Sequence, residues 1–430
     1  MVIKKNTYHN LLLITSVLLI LIPPALISGP FIPDLFIVII SIIFLFIFNT
    51  NKEPFLLKTN FFRLFIIYYI YLILTSVLSD NFAESIKPSL TYIRFGFFSL
   101  AIFFILKNNK NFSKYFYLIL CFTVIILIFD GYFQFITGKN IFGYKGLRPD
   151  RLGGLFFDEL ILGSYLGKVL PILCTFYLLN KTYFNKYYIS IFIILIYILI
   201  FLSGERSAFF TTTLYFIMII PFLMSVKKIF IVFLLISTLF STLILTNKNI
   251  KSRYFDQMIL HTVGVGNLIE IDSNNKQVFL REHMGLFSAA IDIFKKNIFF
   301  GGGIRTFRIN CKSVDKLTVE SLKKKNSHVK ICSTHPHNFY LQLLAETGII
   351  GFMFIFVIFI KLFFDYIKQF YYLIKKNKNI SKEYVTILSG LIIYIWPLTT
   401  TGSFFNNWIC SILFLQIGIY LYVSQNESKN

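Results

Sequence analysis

Two arginines and one histidine, far apart along the chain, are the side chains best suited to chemistry. Arg206 lies in the short segment SGERSA between two apolar runs, and Arg305 follows three glycines in GGGIRTFR. His337 lies in THPHNFYLQLLAETGIIG, just before another apolar run. Arginines can grip a diphosphate through paired hydrogen bonds, and a neutral imidazole can act as a general base near pH 7. Arg206 and Arg305 would disfavour an imidazolium and so keep that base free.

The flanking residues suggest how these side chains are presented. The glycines at 301–303 would let backbone amides approach a ligand closely, although a plain turn explains them as well. They are not a P-loop, which requires Lys and Ser or Thr after the last glycine. Thr334 or His335 is suited to cap a helix with Pro336 in its first turn. The free amides of that helix N-terminus, beside His337, would favour an anion.

A metal centre has little support in the sequence. His335 and His337 could supply two ligands, whereas a zinc site takes three or four. No HExxH or CxxC spacing supplies the others. We therefore expect chemistry that needs neither a metal nor another cofactor.

Two cysteines lie between Arg305 and His337 in the sequence. Cys311 follows Arg305, and Cys332 precedes His337. An oxidising compartment would permit a disulfide between them, and two free thiols are the alternative. A bridge would tie the two segments together.

Helices in a membrane must position all of these groups. The 430 residues are 56% hydrophobic and only 14% charged, whereas a soluble domain is about one quarter charged. The apolar residues form blocks of about 20, enough to cross a hydrocarbon core of about 30 Å. Runs such as IFIILIYILIFL do not alternate as barrel strands do. Since backbone in lipid must satisfy its own hydrogen bonds, the sequence predicts an all-α polytopic membrane protein.

We predict about twelve transmembrane helices and one large helical periplasmic loop. Residues 1–246 would hold nine spans, 247–337 the loop with Arg305 and His337, and 338–430 three spans and a cytoplasmic C-terminus. The candidate spans are about 10–28, 33–49, 60–78, 88–106, 115–136, 159–179, 187–202, 207–224, 229–246, 338–360, 383–398 and 404–423.

The basic residues predict the orientation. Lys and Arg are concentrated in every second connection, which places both termini in the cytoplasm and the long loop outside. The net charge of +22 follows from these connections and does not indicate a nucleic-acid partner. Within the loop, 279-FLREHMGLFSAAIDIFKK-296 has apolar residues at helical spacing. We expect a helix there, on the membrane surface or against the bundle.

Other charged residues leave alternatives open. Arg148 and Arg151 precede a span and would either contact phosphates or lie in a solvated loop. Glu346, about two turns into its span, would pair with an arginine or cap a water cavity. A transporter for lipid-linked sugars, a different class of protein, would place charges at mid-bilayer in broken helices. The few candidates for such charges are Arg94, Asp130 and Lys168.

Taken together, the patterns SGxRxA, the Gly-rich segment with its arginine, and HxHNxYLQxLAExGIIG resemble the O-antigen ligase and polymerase superfamily. The resemblance covers nearly the whole chain. It implies a metal-independent, inverting glycosyltransferase of the bacterial inner membrane, with its active site facing the periplasm. The donor would be a glycan on undecaprenyl diphosphate. The acceptor would be lipid A–core in ligases, a carrier-linked repeat unit in polymerases, or a protein hydroxyl in a third branch.

The resemblance also implies residue roles. Arg206 and Arg305 match the arginines that handle the diphosphate, and His337 matches the proposed base. His335, Arg308 and Tyr340 fall on the same motifs as candidates for substrate binding. We expect an O-antigen ligase that uses lipid A–core, with a polymerase of the same superfamily as the alternative.

Overall fold

The computed structural model describes residues 5–51, 59–181, 185–256, 278–313, 331–376 and 380–427. These residues form helices, turns and one isolated bridge, with no strand among them. The predicted fold class, an all-α polytopic membrane protein, is confirmed. The helices are α1 (Lys5–Ile20), α2 (Ile22–Ala25), α3 (Phe31–Asn51), α4 (Asn60–Val77), α5 (Phe82–Thr91), α6 (Ile93–Asn108), α7 (Phe112–Thr137), α8 (Leu162–Leu179), α9 (Lys186–Leu202), α10 (Arg206–Leu223), α11 (Val226–Thr246), α12 (Lys248–Lys251), α13 (Val278–Lys296), α14 (Phe307–Asn310), α15 (Phe339–Lys375), α16 (Lys382–Tyr394) and α17 (Asn407–Glu427).

Each of the twelve predicted spans overlaps at least one helix, but not every helix is long enough to cross a membrane. Among the described residues, eight helical stretches are long and apolar enough to cross a membrane. A ninth is the pair Asn6–Ile20 and Ile22–Ser28, bent by 45°. α9 has 17 residues and α16 has 13. At a rise of about 1.5 Å per residue, α16 is about 20 Å long, so the number twelve stays a prediction.

The short helix α16 needs no lipid-facing surface. Its residues from Tyr384 to Tyr394 are all buried, and it packs against α8, α10, α15 and α17. A central helix enclosed by others on all sides gains its stability from packing rather than from lipid. α6 is also largely buried, against α3 and α17.

Several helices begin or end at the same end of the bundle. α8, α10, α15 and α17 begin there, near Ser164, Arg206, Phe339 and Asn407, and α16 ends there at Tyr394. Side chains distant in sequence therefore meet at that end. The predicted large loop adds six side chains to it: Arg253, Arg305, Arg308, Thr334, His335 and His337.

α15 is broken at Gly348, whose backbone has φ 64° and ψ −169°. The N–H of Ile349 donates to the carbonyl of Ile298 at 2.8 Å instead of continuing the helix. A side chain at Gly348 would meet the carbonyl oxygen of Phe299 at 2.3 Å, so only glycine fits. Broken helices in transporters line ion sites. This break is occupied by the protein's own backbone.

The amphipathic helix α13 lies against the bundle, which is one of the two placements that the sequence predicted. It packs on α15 around a small second core. The buried members of this core are Leu286, Ala289, Ala290, Ile293, Phe307, Cys311 and Ala345. Because Phe307 lies two residues after Arg305, this core holds the arginine-bearing segment on the start of α15.

Cys311 and Cys332 form a disulfide, with a Cα–Cα distance of 5.3 Å. We expect mass mapping of the alkylated, non-reduced protein to find the two peptides linked, with the three free cysteines at 121, 174 and 410 alkylated after denaturation. Closing a loop with a sequence separation of 21 residues lowers the entropy of the unfolded chain, which stabilises the folded state by about 3 kcal/mol. Recovery of both cysteines as alkylated thiols before reduction would contradict the bridge.

Candidate active site

One cleft of about 1150 Å³ brings together side chains from most of the chain. His337, Arg206 and Arg305 all line it, although 131 positions separate the first from the second. Six arginines and one lysine line the cleft, against two carboxylates from Glu159 and Glu205. The cationic side chains are Arg148, Arg151, Lys168, Arg206, Arg253, Arg305 and Arg308. Such a wall favours an anionic ligand.

Arg206 is presented by a turn that Glu205 anchors. The buried Glu205 carboxylate accepts N–H bonds from Gly163 at 2.7 Å and Ser164 at 3.2 Å, at the start of α8. Burial raises the pKa of this carboxyl group, while Ser164 and Arg151 act in the opposite direction. Acceptance of these amides by a carboxylate stabilises the helix N-terminus. The turn is thereby locked to α8, and Arg206 begins α10 at the cleft.

A second group of basic residues surrounds Asp150. Arg148 binds both oxygens of Asp150, at 3.0 and 2.9 Å, and Arg253 approaches the same carboxylate at 3.8 Å. The Nε of Arg253 donates to the carbonyl of Gly204 at 2.8 Å. Burial, together with the charges of Arg206 and Arg151, lowers the pKa of Arg253 to about 10. An anion bound in the cleft would relieve this crowding of cations.

The guanidinium of Arg305 is held by the first residue of α17 and by the segment before it. Its Nε donates to the carbonyl of Phe405 at 3.0 Å, and an Nη atom donates to Oδ1 of Asn407 at 2.8 Å. Asn407 in turn donates to Asp34 at 3.0 Å, and Asp34 pairs with Arg94 at 2.8 Å. Burial lowers the pKa of Arg305. A fork oriented by two fixed partners retains a defined direction toward the cleft.

His337 and His335 lie beside each other, with ring centroids 4.2 Å apart. The carbonyl of His337 accepts the N–H of Thr401 at 2.9 Å, which ties it to the segment before α17. Burial lowers the pKa of His335, the charge of Arg308 adds to the effect, and a bond to the Thr401 backbone opposes it. At neutral pH the ring beside His337 is therefore neutral.

Both Arg305 and His337 have left-handed backbone conformations, with φ values of 60° and 58°. Residues other than glycine rarely adopt this region, at a cost of about 1 to 3 kcal/mol each. Strain of this kind persists where the surroundings dictate it, and it is concentrated at functional sites. Two of the three residues singled out from the sequence are thus also conformational outliers.

The expected helix cap before His337 is wrong. α15 begins at Phe339 and is capped by Asn338, whose Oδ1 accepts the N–H groups of Tyr340 and Leu341 at 3.0 and 3.1 Å. The left-handed His337 cannot continue a helix, and Asn is among the strongest caps. These two amides therefore bind Asn338, which removes them from the proposed anion site.

The ligand-facing interpretation of the glycine triplet is also wrong. The N–H groups of Gly302 and Gly303 each donate at 2.9 Å, to the carbonyls of Ala345 and Glu346 beside the break in α15. A side chain at Gly301 would lie 2.5 Å from the backbone of Glu346. The glycines serve a close backbone contact that fixes Arg305 relative to α15.

Glu346 completes this contact. Instead of forming an ion pair with an arginine in the described part of the chain, its carboxylate binds one backbone N–H and one side-chain amide. Its carboxylate accepts the N–H of Phe307 at 3.2 Å and the amide of Gln342 at 2.9 Å. Gln342 also accepts the N–H of Phe404 at 2.8 Å. The buried pair therefore joins the arginine segment, α15 and the segment before α17.

We expect Glu346→Ala to lower the free energy of unfolding by about 2 kcal/mol or more, because buried donors lose a charged acceptor. Glu346→Gln, which keeps one acceptor, should recover part of the loss. Glu84→Ala is the matched control, since Glu84 is exposed on α5. Melting temperatures of the purified variants measure the effect. A Glu346→Ala protein as stable as the control would contradict this role.

Of the five other predicted site residues, four line the cleft and one does not. Arg148, Arg151, Arg308 and His335 line the cleft. Tyr340 does not line it: its buried hydroxyl donates to the carbonyl of Ile395 at 2.8 Å, a packing contact between helices. Its role as a substrate contact has no support from this position.

Sequence reasoning missed Arg253 and Glu205 as parts of the site and considered Lys168 only as a transporter residue. All three line the cleft. Glu205 carried a usable signal, since an acidic residue between two apolar runs requires partners. Arg253 carried none, because nothing local distinguishes it from other loop arginines.

Among the described residues, no group of three or more His, Cys, Asp or Glu side chains is placed to hold a metal ion. Independence from metals stays a prediction.

The fold and the cleft define a polytopic α-helical membrane protein with a cleft lined by basic side chains at one end of its bundle. The family model described as O-antigen ligase matches residues 191–356, a range that contains Arg206, Arg305 and His337. The chain is thus similar to the O-antigen ligase family over this range, and its resemblance to the O-antigen ligase and polymerase superfamily is confirmed. This family is glycosyltransferase-like and implies lipid-linked glycan substrates. A comparison with curated proteins found no match.

Proposed function

We propose that the protein is an inverting, metal-independent glycosyltransferase that moves a glycan from undecaprenyl diphosphate to lipid A–core, as an O-antigen ligase does. It would act in the bacterial inner membrane, with both termini in the cytoplasm and the cleft facing the periplasm. The membrane lipids would hold the carrier's chain while its diphosphate enters the cleft.

The main support is one shared cleft that holds an imidazole and several guanidinium groups. His337, Arg206 and Arg305 come from three segments and line this single space. A diphosphate diester carries two negative charges, and the excess of basic side chains matches them. A helix bundle with no such cleft, or with these groups at opposite ends, would have given no basis for the proposal.

The chemistry would be a direct displacement at the anomeric carbon of the donor glycan. His337 takes the proton of the acceptor hydroxyl, and the oxygen forms the new bond to the anomeric carbon. The bond from that carbon to the phosphate oxygen breaks, and its electron pair leaves with the carrier diphosphate. Arg206 and Arg305 stabilise the charge that develops there, which is where preorganised donors help most.

A deletion strain tests the proposal and separates the ligase from the polymerase. If the protein is a ligase, its loss should leave bare core together with free carrier-linked polymer. A single repeat on the core, in place of a ladder, would instead assign the polymerase reaction. An unchanged glycan profile, in a strain with no second enzyme of this kind, would contradict both the ligase and the polymerase assignment.

A further inference from the structure

Lys168 lies on the wall of the cleft, deeper in the bundle than the arginines. It is six positions after Leu162, the first residue of α8, which places its Cα about 9 Å along the helix axis. Side chains on a helix lean toward its N-terminus, so the lysine points back toward the cleft opening. Its Nζ lies 5.4 Å from the ring centroid of Tyr394. The side chain of Gln416 donates to the carbonyl of Lys168 at 2.7 Å and pins this turn of α8.

The lysine has no carboxylate within ion-pair distance among the described residues. The nearest acidic influence is Glu205, whose oxygens are bound by Gly163 and Ser164. The same bonds occupy the first amides of α8, so these amides do not hold a phosphate. Lys168 is therefore the cation that this part of the wall offers to a ligand. An ionisable side chain within a span is costly to keep and points to function.

The position of Lys168 fits one part of a lipid-linked donor, on the premise of the proposed function. The carrier's chain lies in the membrane and its glycan lies outside, so its two phosphates lie at different depths. The phosphate next to the sugar belongs at the level of Arg206, Arg305 and His337, where the bond breaks. The phosphate next to the lipid lies deeper, beside α8.

We propose that Lys168 binds the lipid-side phosphate of the carrier diphosphate. An ammonium is a compact charge with three donors, well suited to a phosphate whose orientation is set elsewhere. During transfer, the departing electron pair is shared across both phosphates. Lys168 then stabilises the half of the leaving group that the arginines do not reach.

The test compares two lipids that differ by one phosphate. Binding of undecaprenyl diphosphate and of undecaprenyl monophosphate is measured for the full-length protein in nanodiscs, without turnover. Lys168→Met keeps the length of the side chain and removes its charge, and Lys168→Gln serves if the first variant does not fold. Lys361→Met is the control, because Lys361 is exposed on α15 and lies outside the cleft lining.

The wild type and the control should prefer the diphosphate. In the Lys168 variants, the dissociation constant for the diphosphate should rise about 10-fold or more, as expected for a lost charge-assisted hydrogen bond. The constant for the monophosphate should rise by a similar factor, because that lipid keeps the lipid-side phosphate and lacks only the sugar-side one. A loss confined to the diphosphate, or no loss for either lipid, would overturn the proposal. A wild type that selects the diphosphate but transfers no glycan would count against the proposed reaction and leave this subsite standing.

Discussion

Replacement of His337 by alanine should reduce glycan transfer by about 100-fold to 10,000-fold, the range that a general base contributes. The imidazole would take the acceptor's proton, and alanine offers no group that can replace it. His337 also lines the cleft from a strained backbone, which the hydrogen bond between its carbonyl and the N–H of Thr401 supports. Transfer by purified protein, with lipid-linked donor and acceptor supplied, measures the loss.

His335→Ala is the matched control for this experiment. Its ring lies 4.2 Å from that of His337, and it lines the same cleft. If His337 is the base, the His335 variant should lose much less activity and keep the same pH dependence. Full transfer in cells by His337→Ala, at a normal protein level, would refute the assignment of the base.

Arg206→Lys and Arg305→Lys should each lower the rate of transfer by about 100-fold or more. Removing one donor that stabilises developing charge costs about that much, and lysine cannot reproduce the fork of a guanidinium. For Arg305 the structure adds a second reason. Its fork is held by Phe405 and Asn407 through two different nitrogens, a geometry that a single ammonium cannot copy.

Arg63→Lys controls for the exchange of arginine for lysine, because Arg63 is exposed on α4. It should retain full activity. Asn407→Ala separates position from chemistry: it leaves Arg305 charged but removes one of its partners. We expect an intermediate loss. Wild-type rates in both arginine-to-lysine variants would show that these side chains act only as charges, or not at all.

The amino-acid pattern predicted the helices well because their cause is local. A block of about 20 apolar residues must be helical in lipid, whatever surrounds it. The cap at Asn338 was misplaced by a few residues because Thr334, His335 and Asn338 all lie near the helix start. The left-handed backbone of His337 decided between them, and tertiary contacts with Thr401 support that backbone.

The glycine triplet shows more clearly what a sequence pattern cannot predict. Three glycines permit any close approach of backbone, to a ligand or to the protein itself, and the sequence is the same in both cases. The contact with the broken turn of α15 settles the matter. This turn depends on Gly348, 45 positions after Gly303, and on backbone hydrogen bonds with residues 298–303.

By itself, the sequence determined the class of fold, the helices and the three motifs that carry Arg206, Arg305 and His337, since each depends on neighbours in the chain. Only the tertiary structure decided that Arg253, Glu205 and Lys168 join them in one cleft. Burial, charge and hydrogen-bond partners are set by residues far apart along the chain, and no local pattern records which of these will meet.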